Sequence, residues 1–108
     1  MPTELLKGTL DLLILRTLST EARHGVGIAD RIEQMTGGTF QVRAGSLFPA
    51  LHRLEQNGFI AGKWCTSEEG RRVKSYQVTA AGRKQLAIET RQWARIVAAM
   101  SQVLDPSS

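Results

Sequence analysis

The segment that decides the fold runs from residue 44 to residue 79 and reads AGSLFPALHRLEQNGFIAGKWCTSEEGRRVKSYQVT. In its first part Leu47, Leu51 and Leu54 recur at the spacing of one helical face, which predicts a helix with a single buried stripe. Gly58 then supplies a stop signal, because glycine adopts the left-handed conformation that ends many helices. The segment therefore predicts a helix over 44–57, after which the period of the sequence changes.

The residues after that helix predict a β-hairpin. Residues 59–66 and 73–79 have the composition of strands, and the polar residues 67–70 between them form a turn signal. The start of the preceding helix is less regular, because Pro49 removes one backbone hydrogen bond and presses on the carbonyl of Gly45. We expect a distorted first turn or a start as late as Ser46.

Two further helices precede this segment. Residues 5–18 are apolar on most sides, so this helix needs more than one packing partner. The next helix begins near His24 and is amphipathic, with Ile28, Ile32 and Met35 predicted to face inward. Three helices and a hairpin thus make up the first part of the chain.

The last helix is predicted to begin after Thr79, a good N-terminal cap, and to run over 80–104. At 1.5 Å per residue it is about 37 Å long, more than a core of this size can cover. Its apolar seam must therefore meet a second chain, with the spare face of the first helix helping. The predicted dimerisation residues are Leu5, Leu12, Leu86, Trp93, Ile96, Val97, Met100 and Leu104.

The predicted fold class is mainly α (α+β): a winged helix-turn-helix with a two-stranded wing and a long C-terminal dimerisation helix. We divide the chain into the winged helix-turn-helix at 1–79, the dimerisation helix at 80–105 and a disordered tail at 106–108. The length of 108 residues excludes a multidomain enzyme.

The positive charge is confined to one part of the sequence. The chain has a formal net charge of +4, and residues 63–84 carry six Lys and Arg against two Glu, so this window holds the whole excess. A polyanion contact and a hairpin kept soluble by its charges explain this pattern equally well when it is taken alone.

Composition also indicates the cellular compartment in which we expect the protein. The longest apolar run, 12–15, is far shorter than the roughly 20 residues of a membrane span, so no membrane association is expected. The single cysteine, Cys65, makes no internal disulfide, in agreement with a reducing cytoplasm. We therefore expect a cytoplasmic protein.

In a winged helix-turn-helix the third helix enters the major groove, so its outer side is the candidate surface for base contacts. We expect Arg53 to pair with guanine and Gln56 with adenine, and we expect Arg71, Arg72 and Lys74 of the wing to contact phosphates. The alternative is that the polar residues of the helix are ordinary solvated side chains. The predicted DNA-binding residues are Ser46, Phe48, Pro49, His52, Arg53, Gln56, Arg71, Arg72 and Lys74.

Enzymatic sites are not indicated. His24, His52 and Cys65 are too few and too widely spaced for a known zinc pattern, so we predict no metal and no cofactor. Residues 25–30 begin like a dinucleotide-binding fingerprint, but no strand precedes them. No nucleophile elbow is present, and we predict no catalytic residue.

Three motifs resemble the PadR-type transcriptional regulators: residues 45–60, residues 71–82, and residues 6–10 together with the pair at 24–25. The resemblance covers nearly the whole chain and is to the short form with a single C-terminal helix. It implies a cytoplasmic homodimer, in most cases a repressor, that binds a near-palindromic DNA operator and in some members releases it when a small molecule binds. The family usually has tyrosine at the position of Phe48, so the contact of that hydroxyl is absent here.

Two interpretations concern the tryptophans. Trp93 lies in the middle of the predicted seam, and the resemblance implies that such a residue sometimes flanks a flat aromatic effector, although dimer packing alone accounts for it. Trp64 is expected to pack at the root of the wing.

A second functional class stays open: a dimeric winged-helix protein-interaction module without specific DNA binding, whose basic hairpin binds an acidic protein surface.

Overall fold

A computed structural model describes residues 7–105 of the chain. Within this range it contains four helices and three strands: α1 Lys7–Leu18, β1 Arg23–His24, α2 Gly25–Met35, α3 Ala44–Gln56, β2 Ile60–Thr66, β3 Arg72–Val78 and α4 Ala80–Leu104. The predicted winged helix-turn-helix with a long C-terminal helix is confirmed. Leu5 and the tail at 106–108 lie outside the described residues.

The core forms around α1, which contacts α2, α3, α4 and β3. This explains why α1 is apolar on most sides, since a helix with neighbours on several sides buries more than one stripe. On α2, Ile28 and Ile32 are fully buried as predicted, but Met35 is largely exposed, so its prediction was wrong. The buried apolar residues are Leu10, Ile14, Leu15, Leu18, Ile28, Ile32, Leu47, Ala50, Leu51, Leu54, Ile60 and Tyr76.

Helix α3 begins at Ala44 and continues through Pro49. The lost amide of Pro49 would have bonded to the carbonyl of Gly45, and Gly45 is exposed, so water can satisfy that oxygen. The helix ends at Gln56, one residue before the predicted end, and the stop signal is Gly58 as predicted, whose φ of 77° is in the left-handed region. There the Phe59 amide donates to the Leu54 carbonyl at 3.0 Å, which closes a Schellman cap and turns the chain into β2.

The sheet has three strands in the order β1-β3-β2, all antiparallel. The sequence predicted only the hairpin of β2 and β3. The additional strand β1 pairs Arg23 with Tyr76 and His24 with Ser75. With only two residues it is too short to show an alternating pattern, which is why sequence reasoning missed it.

The start of α4 is fixed by Thr79 and Gly82. The Gly82 amide donates to Thr79 Oγ1 at 3.0 Å, so the predicted N-terminal cap is confirmed. The Thr79 hydroxyl in turn donates to the Gly58 carbonyl at 2.6 Å. A Cβ atom at Gly82 would fall on the carbonyl oxygen of Phe59, so only glycine lets α4 approach the chain this closely.

Candidate nucleic-acid interface

The outer side of α3 is formed by residues that point away from the buried leucine stripe. Five of the six residues predicted there are exposed: Ser46, Phe48, Pro49, His52 and Gln56. Phe48 packs against the start of α2, where a Cβ atom at Gly25 would approach its ring to 3.0 Å. Close packing at Gly25 therefore holds Phe48 in place on this side of the helix.

Arg53 is the sixth residue, and the structure places it elsewhere. Its Nη2 lies 2.5 Å from Asp11 Oδ1, and its Nε donates to Asp11 Oδ2 at 3.4 Å. The side chains are 29% and 16% exposed, so the pair is partly buried between α1 and α3. In the free chain its guanidinium pairs with Asp11, because the long side chain reaches across to α1 from the edge of the helix. The pairing of Arg53 with guanine stays a prediction.

Lys74 of the wing, a predicted phosphate contact, is also paired within the chain. Its Nζ donates to Glu55 Oε1 at 2.8 Å, while Glu55 Oε2 accepts the Gly62 amide at 3.1 Å. Glu55 therefore ties the end of α3 to both strands of the hairpin. This ion pair gives Lys74 a structural contact, and its contact with a phosphate stays a prediction.

This ion pair perturbs the titration of both groups. The hydrogen bond from Lys74 lowers the pKa of Glu55 below its ordinary value, with further lowering by the charge of Lys74, while partial burial opposes the shift. The hydrogen bond to Glu55 raises the pKa of Lys74. Both shifts favour the charged forms, which keeps the link between α3 and the wing intact at neutral pH.

Arg71 and Arg72 are both exposed, and within residues 7–105 neither guanidinium has an ion-pair partner. They stand at the start of β3, next to a turn that is closed by the Gly70 amide donating to the Ser67 carbonyl at 2.9 Å. Unpaired guanidinium groups on a rigid hairpin suit contact with phosphates. The role of these two residues as DNA-backbone contacts stays a prediction.

A groove of about 430 Å³ separates α3 from the wing. Its lining comes from β1 and the start of α2, from Phe48 of α3, and from both strands of the wing. The lining residues are His24, Gly25, Val26, Phe48, Trp64, Arg72, Val73, Lys74 and Tyr76. The outer side of α3 and the unpaired Arg72 thus border one concave surface.

Sequence reasoning missed the parts of this groove contributed by His24, Gly25 and Trp64. The signal for Trp64 was available, because alternate residues of a strand share one face and Trp64 stands directly opposite Lys74 in the hairpin. Its predicted role at the root of the wing differs from the structure, since its side chain is 56% exposed.

The second surface of interest is the C-terminal part of α4. Every residue over 91–105 is exposed in the single chain, and five of the apolar residues among them line one groove along the helix. The predicted dimerisation residues found exposed on this helix are Trp93, Ile96, Val97, Met100 and Leu104. Leu86 is different: it packs against the chain's own core, because the first turns of α4 still lie on the globular part.

Leu12 is half-buried and borders a second groove, of about 340 Å³, together with Trp93. The other lining residues are Gly8, Thr9, Glu89, Gln92 and Ile96. Trp93 is 46% exposed at this place. The spare face of α1 and the apolar face of α4 therefore border one groove. Their shared part in a dimer contact stays a prediction.

Comparison with known proteins identifies the family of this chain. The chain matches the model of the transcriptional regulator PadR-like family over residues 14–88, which covers α2, α3 and the whole wing. This chain belongs to the PadR-like family. PadR-like proteins are DNA-binding transcriptional regulators and not enzymes, and dimerisation is typical of them.

Individual relatives of this PadR-like chain agree over nearly its full length. An uncharacterized protein of Lysinibacillus sphaericus is 28% identical over 94 residues, 87% of this chain and 86% of the relative. A PadR-like transcriptional regulator of Bacillus cereus has a TM-score of 0.79 at 29% identity, covering 95% of this chain and 98% of that one. A transcriptional regulator of Clostridium thermocellum has a TM-score of 0.84 at 25% identity, with coverage of 92% and 96%.

Two further properties concern the described part of this PadR-like chain. Over residues 7–105, no three His, Cys, Asp or Glu side chains come together as a set that could hold a metal ion. None of the helices in that range combines the length and apolar character needed to cross a membrane.

Proposed function

We propose that this PadR-like chain is a homodimeric repressor that binds a near-palindromic operator in the cytoplasm. The observation that carries the proposal is the groove in which Phe48 of α3 and Arg72 of the wing border one surface. In this arrangement α3 lies in the major groove, while the wing contacts the flanking backbone. Ser46, Phe48, Pro49, His52 and Gln56 are the candidates for base contacts.

The dimer follows from α4. Its last 14 helical residues, 91–104, have no buried position in the single chain, and an isolated helix of this length is marginal in water. A second copy packed along the same face covers these apolar side chains and stabilises the helix. Two copies then present two α3 helices at a fixed distance, which is what a palindromic operator requires.

The proposal includes a binding site for a small-molecule effector. The groove beside Trp93 and Leu12 lies between α1 and α4, the two helices that form the proposed dimer contact. A flat aromatic molecule bound in this groove would change how these helices pack in the dimer. The expected result is quenching of Trp93 fluorescence together with release of DNA. Unchanged Trp93 fluorescence would leave Trp93 as a dimer-packing residue only.

The experiment that tests DNA binding uses DNA from upstream of the chain's own gene, with affinity measured by fluorescence anisotropy over a series of salt concentrations. Each phosphate contact contributes about 0.9 to the slope of log affinity against log salt. Arg71→Ala with Arg72→Ala should therefore flatten the slope by about 2 per chain. A matched double variant, Arg91→Ala with Arg95→Ala on α4, removes the same charge and should leave the slope nearly unchanged.

Two results would contradict the proposal. An equal change of slope in both double variants would assign the effect to net charge and not to the wing. Weak retention of the upstream DNA and of an unrelated duplex to the same extent would favour the protein-interaction module instead.

A further inference from the structure

Trp64 occupies an unusual position for a large aromatic residue in a small domain. It lies in β2, its side chain is more than half exposed, and its Cα partner in the hairpin is Lys74. Arg72 is two residues from Lys74 along β3, so the three side chains share one face of the wing. This face borders the groove between the wing and α3.

Two cations lie over the indole ring of Trp64. The Arg72 Cζ is 5.1 Å from the ring centroid, and the Lys74 Nζ is 6.0 Å from it. Lys74 is already hydrogen-bonded to Glu55 at 2.8 Å, whereas Arg72 has no carboxylate partner within residues 7–105. The indole is therefore the contact that defines the position of the Arg72 guanidinium.

The chemistry of this contact suits a residue that must keep its charge for a ligand. A carboxylate partner would neutralise Arg72, as Glu55 does for Lys74, but an indole ring attracts the cation through its π face and leaves the charge unpaired. A guanidinium held over a ring face by a cation–π contact also keeps N–H donors available for a phosphate. Fixing a long side chain in advance reduces the entropy lost on binding.

We propose that Trp64 is a positioning residue, which holds the Arg72 guanidinium at the groove for a phosphate group of the DNA backbone. The inference rests on the proposed DNA-binding function and deepens it by assigning a role to a residue that itself makes no base contact. The alternative role, cross-strand packing that only stabilises the hairpin, predicts that Trp64 and Arg72 act independently.

A double-mutant cycle separates these roles. The probe is a mixed-sequence DNA duplex of about 30 base pairs, roughly three helical turns, because a phosphate contact does not depend on base sequence. Binding of the full chain is measured by fluorescence anisotropy for the wild type, Trp64→Ala, Arg72→Ala and the double variant. Circular dichroism checks that each variant is folded, and Trp64→Leu replaces Trp64→Ala if the alanine variant is not.

The expected cost of Trp64→Ala is a roughly 2- to 5-fold loss of affinity, from the strength of an exposed cation–π contact. Trp64→Phe keeps a ring and should recover most of that loss. In the Arg72→Ala background, Trp64→Ala should have no further effect. The control background is Lys63→Ala, which removes a cation on the opposite face of β2; there Trp64→Ala should lower the affinity as much as it does in the wild type.

The outcomes distinguish the inference from the function on which it rests. If the wild type binds the duplex in a salt-dependent manner but Trp64→Ala has the same effect with and without Arg72, the positioning role is wrong and DNA binding stands. An unchanged affinity in Arg72→Ala would also overturn the role. If the wild type does not bind the duplex at all, the proposed function fails together with the inference.

Discussion

The ion pair between Arg53 and Asp11 gives Arg53 a contact that the sequence did not predict. On the sequence alone Arg53 belongs to the exposed edge of α3, but in the structure its guanidinium joins α3 to α1. This ion pair links α3 to the core. Its loss should therefore change stability first and binding second.

Arg53→Ala is predicted to lower the free energy of unfolding by about 1 kcal/mol, as expected for a partly exposed ion pair, with the change measured by urea denaturation. Affinities for operator and unrelated DNA should fall by similar factors. Gln56→Ala, an exposed residue of the same helix, should change stability by less than about 0.5 kcal/mol. A different result would assign Arg53 to base recognition: an Arg53→Ala variant as stable as the wild type that no longer discriminates at one base pair.

The ion pair of Glu55 predicts a dependence of stability on pH. Because the pKa of Glu55 is lowered in the folded chain, its stabilising contribution is complete above the pKa of the unfolded chain and is lost as the pH falls through the folded value. Glu55→Gln should thus lower Tm at neutral pH, and the difference from wild type should shrink as the pH falls below about 4.

Thermal unfolding at a series of pH values checks this prediction. In the Glu55→Gln variant the amide oxygen of the new side chain would still accept the Gly62 amide, so the experiment isolates the charge of Glu55. Glu68→Gln is the control, because Glu68 is exposed at the tip of the wing and has no ion pair among the described residues. A Tm difference for Glu55→Gln that stays constant over the whole pH range would contradict the assignment.

At this scale the sequence predicted which residues of α3 face outward, because a helical stripe of Leu47, Leu51 and Leu54 defines the opposite side. The partners of Arg53 and Lys74 were not predictable. Both pairs join residues that are distant in the chain, and their existence depends on how closely α1, α3 and the hairpin approach one another.

At the scale of elements, the joint between the wing and α4 depends on Gly82. Gly82→Ala is predicted to destabilise the chain by about 1 to 3 kcal/mol, because the added methyl group meets the Phe59 carbonyl and Val78 and must displace α4. Gly45→Ala is the matched control, since Gly45 also lies in the first turn of a helix but has open space around it. It should be neutral or stabilising.

Thermal or urea denaturation of both variants makes the comparison. A Gly82→Ala variant as stable as the wild type would mean that α4 can shift without cost, and its position relative to the wing would then not be fixed by this contact.

The elements themselves were largely predictable. The last helix was placed at 80–104, as observed, because Thr79 is a strong cap and the apolar seam is long. Strand β1 was not predictable, since its pairing with Tyr76 and Ser75 arises from tertiary contact and not from a local pattern. Helix α3 begins at Ala44, the earlier of the two expected starts, because an exposed Gly45 makes Pro49 tolerable within the helix.

At the scale of the whole molecule, the exposed apolar face of α4 predicts a dimer that one charge can disrupt. Val97→Glu should shift the chain from dimer to monomer in sedimentation experiments, because the carboxylate would be buried without a partner. Gln102→Glu, on the opposite side of the same helix, adds the same charge and should stay dimeric. Equal behaviour of the two variants would argue against this face as the dimer contact.

The most direct test of the central claim is hydroxyl-radical footprinting of the wild-type chain on DNA from upstream of its own gene. A dimer that presents two α3 helices and two wings predicts two protected half-sites, with centres one helical turn or a small multiple of about 10 base pairs apart. Protection of the backbone next to each half-site should weaken in the Arg71→Ala with Arg72→Ala variant. A single protected half-site, or uniform protection without spacing, would contradict the account.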